Sequence, residues 1–550
     1  MVRLHRLWMA RFLKLGAVLL PGLALLVVFS AAQVWAQSQA STGLRVAVYT
    51  DLGTESDKVF SLYRALSSMG HHPLAITRAD VLMGRLTRSN FDVFVLPSGE
   101  GGERCCSGHY ADNTLALGST AARNAVRAYL NSGGGLVGVE AGAYFLSLNG
   151  GTIDAYQANY RWTRPSASKR TLTITDAGFG SGSQQAWMST GGGYFEVARN
   201  ATVVARDTSN RPVIVRAAYG TGRVILTSFD LSLRGDSELD WTIWDNWAMG
   251  GSHINSKGAW TLLGRMIQYA YDGTSSAPAI TETPNPAGAR VAVMTSHTPD
   301  GGIAPPLLPS VGRAIVASGN VSLSIRFQEV IDGRLTLSNF KVAFFDGGYA
   351  YGLKLGLAGH EQKIRDFISS GGAYWGDCAG AFYAADVVNW DGRAYPFPFG
   401  IFHGTITGPI NDITPWPNYT LTPIQVQGDP FFGDRGPISQ LYYGGGFLSM
   451  PTDAEQGAHV YTVGTFGYGG SAAGKPAIVR YDYGSGRVVL LSTHLQARPG
   501  SEEDWTYWDN FYPSSNVPLN NSDNTWDIFG DLLNWVARNS GAELSGPISR

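Results

Sequence analysis

Short apolar runs rich in β-branched residues, such as residues 46–49 (VAVY) and 93–96 (VFVL), alternate with stretches of helical period, such as residues 57–68 and 121–130. Unbroken apolar runs predict strands covered on both faces. Their alternation with amphipathic helices predicts an α/β fold in which a mostly parallel sheet lies between two helical layers. Ligands of such folds bind beyond the carboxyl ends of the strands.

The pattern runs through the chain twice. "LRVAVYTD" (44–51) returns as "RVAVMTSH" (290–297), and "GRLTRSNFDVFVLPSGEGG" (84–102) as "GRLTLSNFKVAFFDGGYAY" (333–351). "GGGLVGVEAGAYF" (133–145) matches "GGAYWGDCAGAFY" (371–383), and "TGGGYF" (190–195) matches "YGGGFL" (443–448). Residues 217–247 and 481–511 then align without a gap. Matches in one unbroken order indicate a tandem duplication. The expected domains are residues 43–272 and 289–541, joined by a linker over 273–288 within the Pro-, Ser- and Thr-rich "DGTSSAPAITETPNPAGA".

A length of 550 residues suits two domains, each able to bury most of its apolar surface. Hydrophobic residues make up 44% of the chain and charged residues 15%, a globular balance. A formal charge of -2 argues against nucleic acid or an anionic membrane surface as the main partner. Residues 1–36 read as a signal peptide: Arg3, Arg6, Arg11 and Lys14 lead into an apolar stretch that ends in the small-residue pattern Val34-Trp35-Ala36. Pro21 interrupts that stretch and favours cleavage after Ala36. The alternative, an uncleaved anchor, is the one route by which a membrane enters the reading. The expected location is secreted or periplasmic.

Three cysteines are too few for a disulfide framework, so the fold must stand on its core. Cys105 and Cys106 are adjacent, either closing on each other or standing as two thiols in a loop. Cys378 is then the odd thiol. It sits in Gly376-Asp377-Cys378-Ala379-Gly380, a G-x-C-x-G sequence at an expected strand-to-helix junction. A nucleophile at such a turn is held in a strained conformation, flanking glycines admit close backbone, and the following helix favours thiolate. A buried structural cysteine beside a packing glycine has the same short signature.

Three features favour chemistry. His494 ends the run "GRVVLLST", where a sheet brings an imidazole toward the cysteine as general base. "FFDGG" (344–348) ends another strand with Gly347 and Gly348, whose amides, with that of Ala379, are candidate oxyanion donors. Between the repeats Cys378 becomes Glu140, His494 becomes Asp230, and Asp346-Gly347-Gly348 becomes Pro97-Ser98-Gly99. Joint loss is what decay of a catalytic pair produces. The residue that orients the base stays open. Gln496 stands two positions after His494, where no carboxylate is found. Glu502, Glu503 and Asp504 follow, but Glu238 and Asp240 occupy places matching Glu502 and Asp504 in the first repeat, which suits a structural role for a retained carboxylate. Asp377 is Val139 in the first repeat, and its charge beside Cys378 would raise the thiol pKa unless the side chain turns away.

At "GGAYWGDCAGAFYAA", "YYGGGF" and "YGSGRVVLLSTH" the chain resembles the class I glutamine amidotransferase-like superfamily, most closely the amidotransferase-like domain at the N-terminus of some biotin-protein ligases. The resemblance covers each repeat nearly end to end. It implies two tandem flavodoxin-like three-layer sandwiches, Cys378 as nucleophile, His494 as base and oxyanion donors near Gly347 and Gly348. The family often carries Glu where this chain has Gln496, and nothing here resembles the ligase catalytic domain.

Tyr374, Trp375, Phe382, Tyr383, Tyr442, Tyr443 and Phe447 are expected near the site, either as core or as a ligand wall, with Tyr443, Gly444 and Gly445 the expected pocket residues. Asn320 and Asn418 open glycan-acceptor triplets. No motif calls for a cofactor or a metal ion. The chain thus reads as a cysteine-dependent hydrolase of a small-molecule or peptide amide through a thioester at Cys378. The alternative is a non-catalytic binding protein on the same fold.

Overall fold

The structure is a computed structural model that describes residues 43–51, 54–99, 117–147, 158–163, 168–188, 192–197, 201–233, 256–281, 286–298, 301–304, 307–468, 470–498 and 525–538. The expected signal peptide, Cys105, Cys106, Glu502 and Glu503 lie outside the described residues.

The compact unit Leu44–Arg550 holds two nine-stranded sheets. The first contains β1 (Arg45–Tyr49), β2 (His72–Ile76), β3 (Val93–Leu96), β4 (Gly135–Val139), β5 (Ser168–Ile174), β6 (Gly182–Met188), β7 (Thr202–Asp207), β8 (Pro212–Tyr219) and β9 (Gly222–Thr227). The second contains β10 (Arg290–Met294), β11 (Val321–Ile325), β12 (Val342–Phe345), β13 (Ala373–Asp377), β14 (Thr420–Val426), β15 (Gly436–Tyr442), β16 (Tyr461–Phe466), β17 (Pro476–Tyr483) and β18 (Gly486–Leu491). The strand order is β2-β1-β3-β4-β9-β8-β7-β5-β6 in the first and β11-β10-β12-β13-β18-β17-β16-β14-β15 in the second. Position by position the two orders are the same.

In each sheet the first five strands in this order run parallel and the remaining four continue antiparallel. The parallel part is what the apolar runs predict: β3, β4, β12, β13 and β18 are buried at every residue, because helices cover both faces. The antiparallel wing is not visible as apolar runs. Its hairpins, such as β5–β6, alternate toward solvent.

Six helices matter for the site: α1 (Ser56–Ser68), α2 (Ala141–Leu146), α3 (Ser256–Asp272), α4 (Leu308–Ala317), α5 (Ala379–Ala384) and α6 (Thr525–Ala537). α1 buries Val59, Phe60, Leu62, Tyr63 and Leu66, at helical spacing, and ends before Gly70, whose φ of 77° only glycine adopts cheaply. α3 lies on β4 and β9, and α6 on β13 and β18. α1 packs on α4, so one apolar core runs through both sheets. Among the described residues no helix is long and apolar enough to cross a membrane.

Candidate active site

Cys378 sits between β13 and α5 at φ 45° and ψ -97°, a conformation that a residue with a side chain rarely holds. Such strain costs about 1–3 kcal/mol and persists only where surrounding contacts dictate it. Glu140, between β4 and α2, takes φ 46° and ψ -103°. The dictating contacts are matched as well. Cys378 N–H donates to the Leu491 carbonyl at 2.8 Å, and Glu140 N–H to that of Thr227 at 2.7 Å. A Cβ on Gly380 would stand 2.0 Å from the Phe345 carbonyl oxygen, and one on Gly142 would stand 2.4 Å from that of Leu96. One on Gly376 would stand 2.8 Å from the Gly380 backbone. The glycines of G-x-C-x-G are therefore required by backbone contact.

The thiol is 6% exposed and donates to the Tyr443 carbonyl, with Sγ 3.5 Å from the oxygen. Backbone N–H groups of Gly348 and Ala379 face the sulfur. Burial, then the neighbouring Asp377 carboxyl, pushes the thiol well above the ordinary cysteine range, and the two N–H groups pull it back only in part. The expectation of a resting thiolate is thus reversed: α5 is short, and desolvation of the sulfur outweighs its dipole. Gly347 has a different place from the one expected. Its N–H meets the carboxyl of Asp346, and its α-carbon supports the imidazole, a Cβ there lying 2.4 Å from His494 Cε1.

His494 follows β18 and is fixed by its backbone, its N–H donating to the Leu441 carbonyl at 2.8 Å. Asp230 holds the same position after β9, bonded to Trp187 at 2.9 Å. The imidazole is fully buried, with the Tyr443 carbonyl that meets the thiol also lying against it. Nδ1 faces the Gln496 amide at 3.2 Å, Asp377 Oδ1 at 3.5 Å and Asp346 Oδ1 at 4.0 Å, and Nε2 has no hydrogen-bond partner among the described residues. The Gln496 amide nitrogen in turn lies 2.7 Å from Asp346 Oδ1. Burial lowers the imidazole to about 3, opposed by the Tyr443 carbonyl. Burial raises Asp346 to about 8, opposed by the Gly347 N–H. Asp377 is raised as well, by burial first and by Asp346 second.

Of the acids considered from sequence, the structure brings Asp377 to the imidazole. Its side chain turns to the His494 side of the elbow. Sequence reasoning does not single out Asp346 or Gln496 as acting residues, yet both belong to the network. The available signal was their replacement, by Pro97 and Ser232, in the same repeat that lacks Cys378 and His494.

The first sheet fills the corresponding space with charge. Glu140 accepts from Ser98 at 2.6 Å and pairs with Lys58 at 3.4 Å, and Lys58 also meets Glu55 at 2.5 Å. Asp230 accepts from Ser232, and burial raises it to about 6 against the pull of Lys58. Even the outer support is matched: Trp260 Nε1–H donates to the Ser232 carbonyl at 2.8 Å and Trp526 Nε1–H to the Gln496 carbonyl at 2.7 Å.

Tyr374, Trp375, Tyr383 and Tyr442 are fully buried, and Phe382 nearly so: they are core. Of the aromatics expected from sequence, Tyr443 joins a cluster with three others. The Tyr443 ring stacks on Trp416 at 4.9 Å, Trp416 meets Trp390 and Tyr349 edge-on, and Tyr349 is 57% exposed. Gly444, at φ 71°, leaves room for the Trp416 ring, and Gly445 packs on the Ser492 carbonyl. Asn320 is buried, with its amide bonded to Asn534 and Ala289, and is closed to glycan transfer.

No family model and no curated protein matches the sequence. Solved structures similar to this chain include a putative GMP synthase component from Thermoplasma acidophilum, at 14% identity over 42% of this chain and 94% of that one, TM-score 0.28. A glutamine amidotransferase from Thermotoga maritima is 13% identical over 41% and 98%, TM-score 0.28. A putative ThuA-like protein from Parabacteroides merdae is 12% identical over 44% and 96%, TM-score 0.27.

Proposed function

We propose that the protein is an extracytoplasmic cysteine hydrolase of the amidotransferase-like type, cleaving an amide or related acyl bond through a thioester at Cys378. The observation that carries this reading is Cys378 in its strained turn, with the Gly348 and Ala379 N–H groups on the sulfur and a buried imidazole that meets the same Tyr443 carbonyl as the thiol. In the proposed reaction, His494 Nε2 takes the thiol proton as Sγ bonds to the substrate carbonyl carbon. The resulting oxyanion accepts from Gly348 and Ala379. The imidazolium gives its proton to the leaving amine as the C–N bond breaks. Water, deprotonated by the same nitrogen, then cleaves the thioester to acid and free thiol. A neutral thiol and imidazole at rest fit this sequence, since charge appears only as the proton moves.

The matched strand orders and elbows support a tandem duplication in which the first repeat has exchanged its reactive pair for the Lys58–Glu140 ion pair and serves as a brace. The basic and apolar pattern of residues 1–36 supports export with cleavage after Ala36.

The test is alkylation of Cys378 by iodoacetamide, followed by mass spectrometry across pH in wild type and His494→Ala. Labelling at neutral pH that drops on the order of 10²-fold without the base supports the reading. A profile identical in the two proteins removes it and leaves a binding protein.

A further inference from the structure

Two carboxyl groups, Asp346 and Asp377, and the His494 imidazole converge with no water contact, and among the described residues neither carboxyl is ion-paired with a lysine or arginine. Two ionised carboxylates so placed repel each other in a medium that solvates neither. The site must hold either a cation or a proton.

Tetrahedral zinc fits poorly. Asp346 Oδ1 and His494 Nδ1 are 4.0 Å apart. Two metal–ligand bonds of about 2.1 Å would span that gap nearly end to end, whereas tetrahedral zinc requires a much smaller ligand–metal–ligand angle. A proton fits well. The Asp346–Gln496 separation of 2.7 Å is the length usual for O–H···O and short for N–H···O.

An amide presents oxygen and nitrogen in nearly the same shape, so the protons around it decide which atom turns inward. With nitrogen inward, Gln496 donates to Nδ1, which places the ring proton on Nε2 and leaves no base for the thiol. With oxygen inward, it accepts from Nδ1 and leaves Nε2 basic.

We infer that Asp346 is a positioning residue acting as a neutral acid: its O–H donates to the Gln496 amide oxygen, which accepts Nδ1–H and so keeps the lone pair of His494 on Nε2. This rests on the cysteine-hydrolase reading and supplies the group that orients its base. The pressure of burial on Asp346, which keeps it protonated into the neutral range, agrees. The other titratable groups around this network are Asp377 and Cys378 at the elbow and the phenols of Tyr442 and Tyr443.

The test compares iodoacetamide labelling of Cys378 against pH in wild type, Asp346→Leu, Asp346→Asn and Gln496→Glu, with thermal melting to establish that each is folded. Asp346→Leu removes the donor and should slow labelling on the order of 10²-fold. Asp346→Asn restores a donor without a charge and should recover most of that loss. Gln496→Glu accepts from both neighbours and should remain fast. Asn as slow as Leu, or a folded but inert Gln496→Glu, overturns the inference, because a charged Asp346 would then be required. Wild-type reactivity in Asp346→Leu also overturns it, while the hydrolase reading stands. Wild-type labelling no faster than His494→Ala removes both. Should Asp346→Leu fail to fold, Asp346→Asn and Gln496→Glu still decide. Stoichiometric metal in the purified full chain would show that a cation holds the carboxyls and refute the proton.

Discussion

Gly380→Ala puts the backbone account of the elbow at risk. A methyl built there stands 2.0 Å from the Phe345 carbonyl oxygen and 2.8 Å from its carbon. Non-bonded carbon contacts lie near 3.5 Å, so α5 and β12 must part by more than about 1 Å. Both partners are backbone, and no rotamer relieves the clash. Overpacking of this kind costs on the order of 3 kcal/mol. α5 also carries the Ala379 N–H that faces the sulfur, and misplacing a reacting group by about 1 Å costs on the order of 10²-fold in rate. Gly142→Ala is the internal control, because its methyl would stand 2.4 Å from the Leu96 carbonyl oxygen. It should lose comparable stability and leave Cys378 unaffected. The assay is urea unfolding together with the rate of iodoacetamide labelling. A Gly380→Ala protein that melts and labels like wild type would show that backbone contact does not hold the elbow, as would equal slowing by Gly142→Ala.

Stability should depend on Asp346 with a definite sign. The folded protein keeps its proton to about 8, whereas the unfolded chain releases it near 3.8, so this group weakens folding as pH rises between those values. His494, neutral in the folded state down to about 3 and 6.5 when unfolded, strengthens folding as pH rises over its own interval. The two effects offset up to 6.5. Between there and about 8 Asp346→Asn should gain about 2 kcal/mol on wild type by urea unfolding, and a constant difference would count against a buried acid. Lys58→Met removes the cation paired with buried Glu140 and should cost about 3 kcal/mol in melting experiments, with Lys58→Met/Glu140→Gln recovering much of it. Recovery absent in the double variant would mean that the pair does not hold the brace. Expression through a eukaryotic secretory pathway should glycosylate exposed Asn418 and leave buried Asn320 bare, as read by peptide mass spectrometry. Sugar on Asn320 would contradict its packing against Asn534.

The parallel strands and the strained turn at Cys378 were legible in the chain alone. Buried strands are apolar throughout, and G-x-C-x-G is a local requirement, set by contacts that only glycines permit. Comparing the repeats also singled out Cys378 and His494 as a candidate pair, since both are replaced together in one copy. The antiparallel wings needed the fold, because half-exposed hairpins lack an apolar run. The orienting group needed it for a different reason. Asp346, Asp377 and Gln496 come from the ends of three strands that are neighbours in the sheet but distant in the chain, and only parallel pairing brings them to one imidazole. Charge state was likewise a matter of packing. A cysteine before a helix suggests a thiolate, but burial beside two carboxyls pushes the thiol above the ordinary cysteine range.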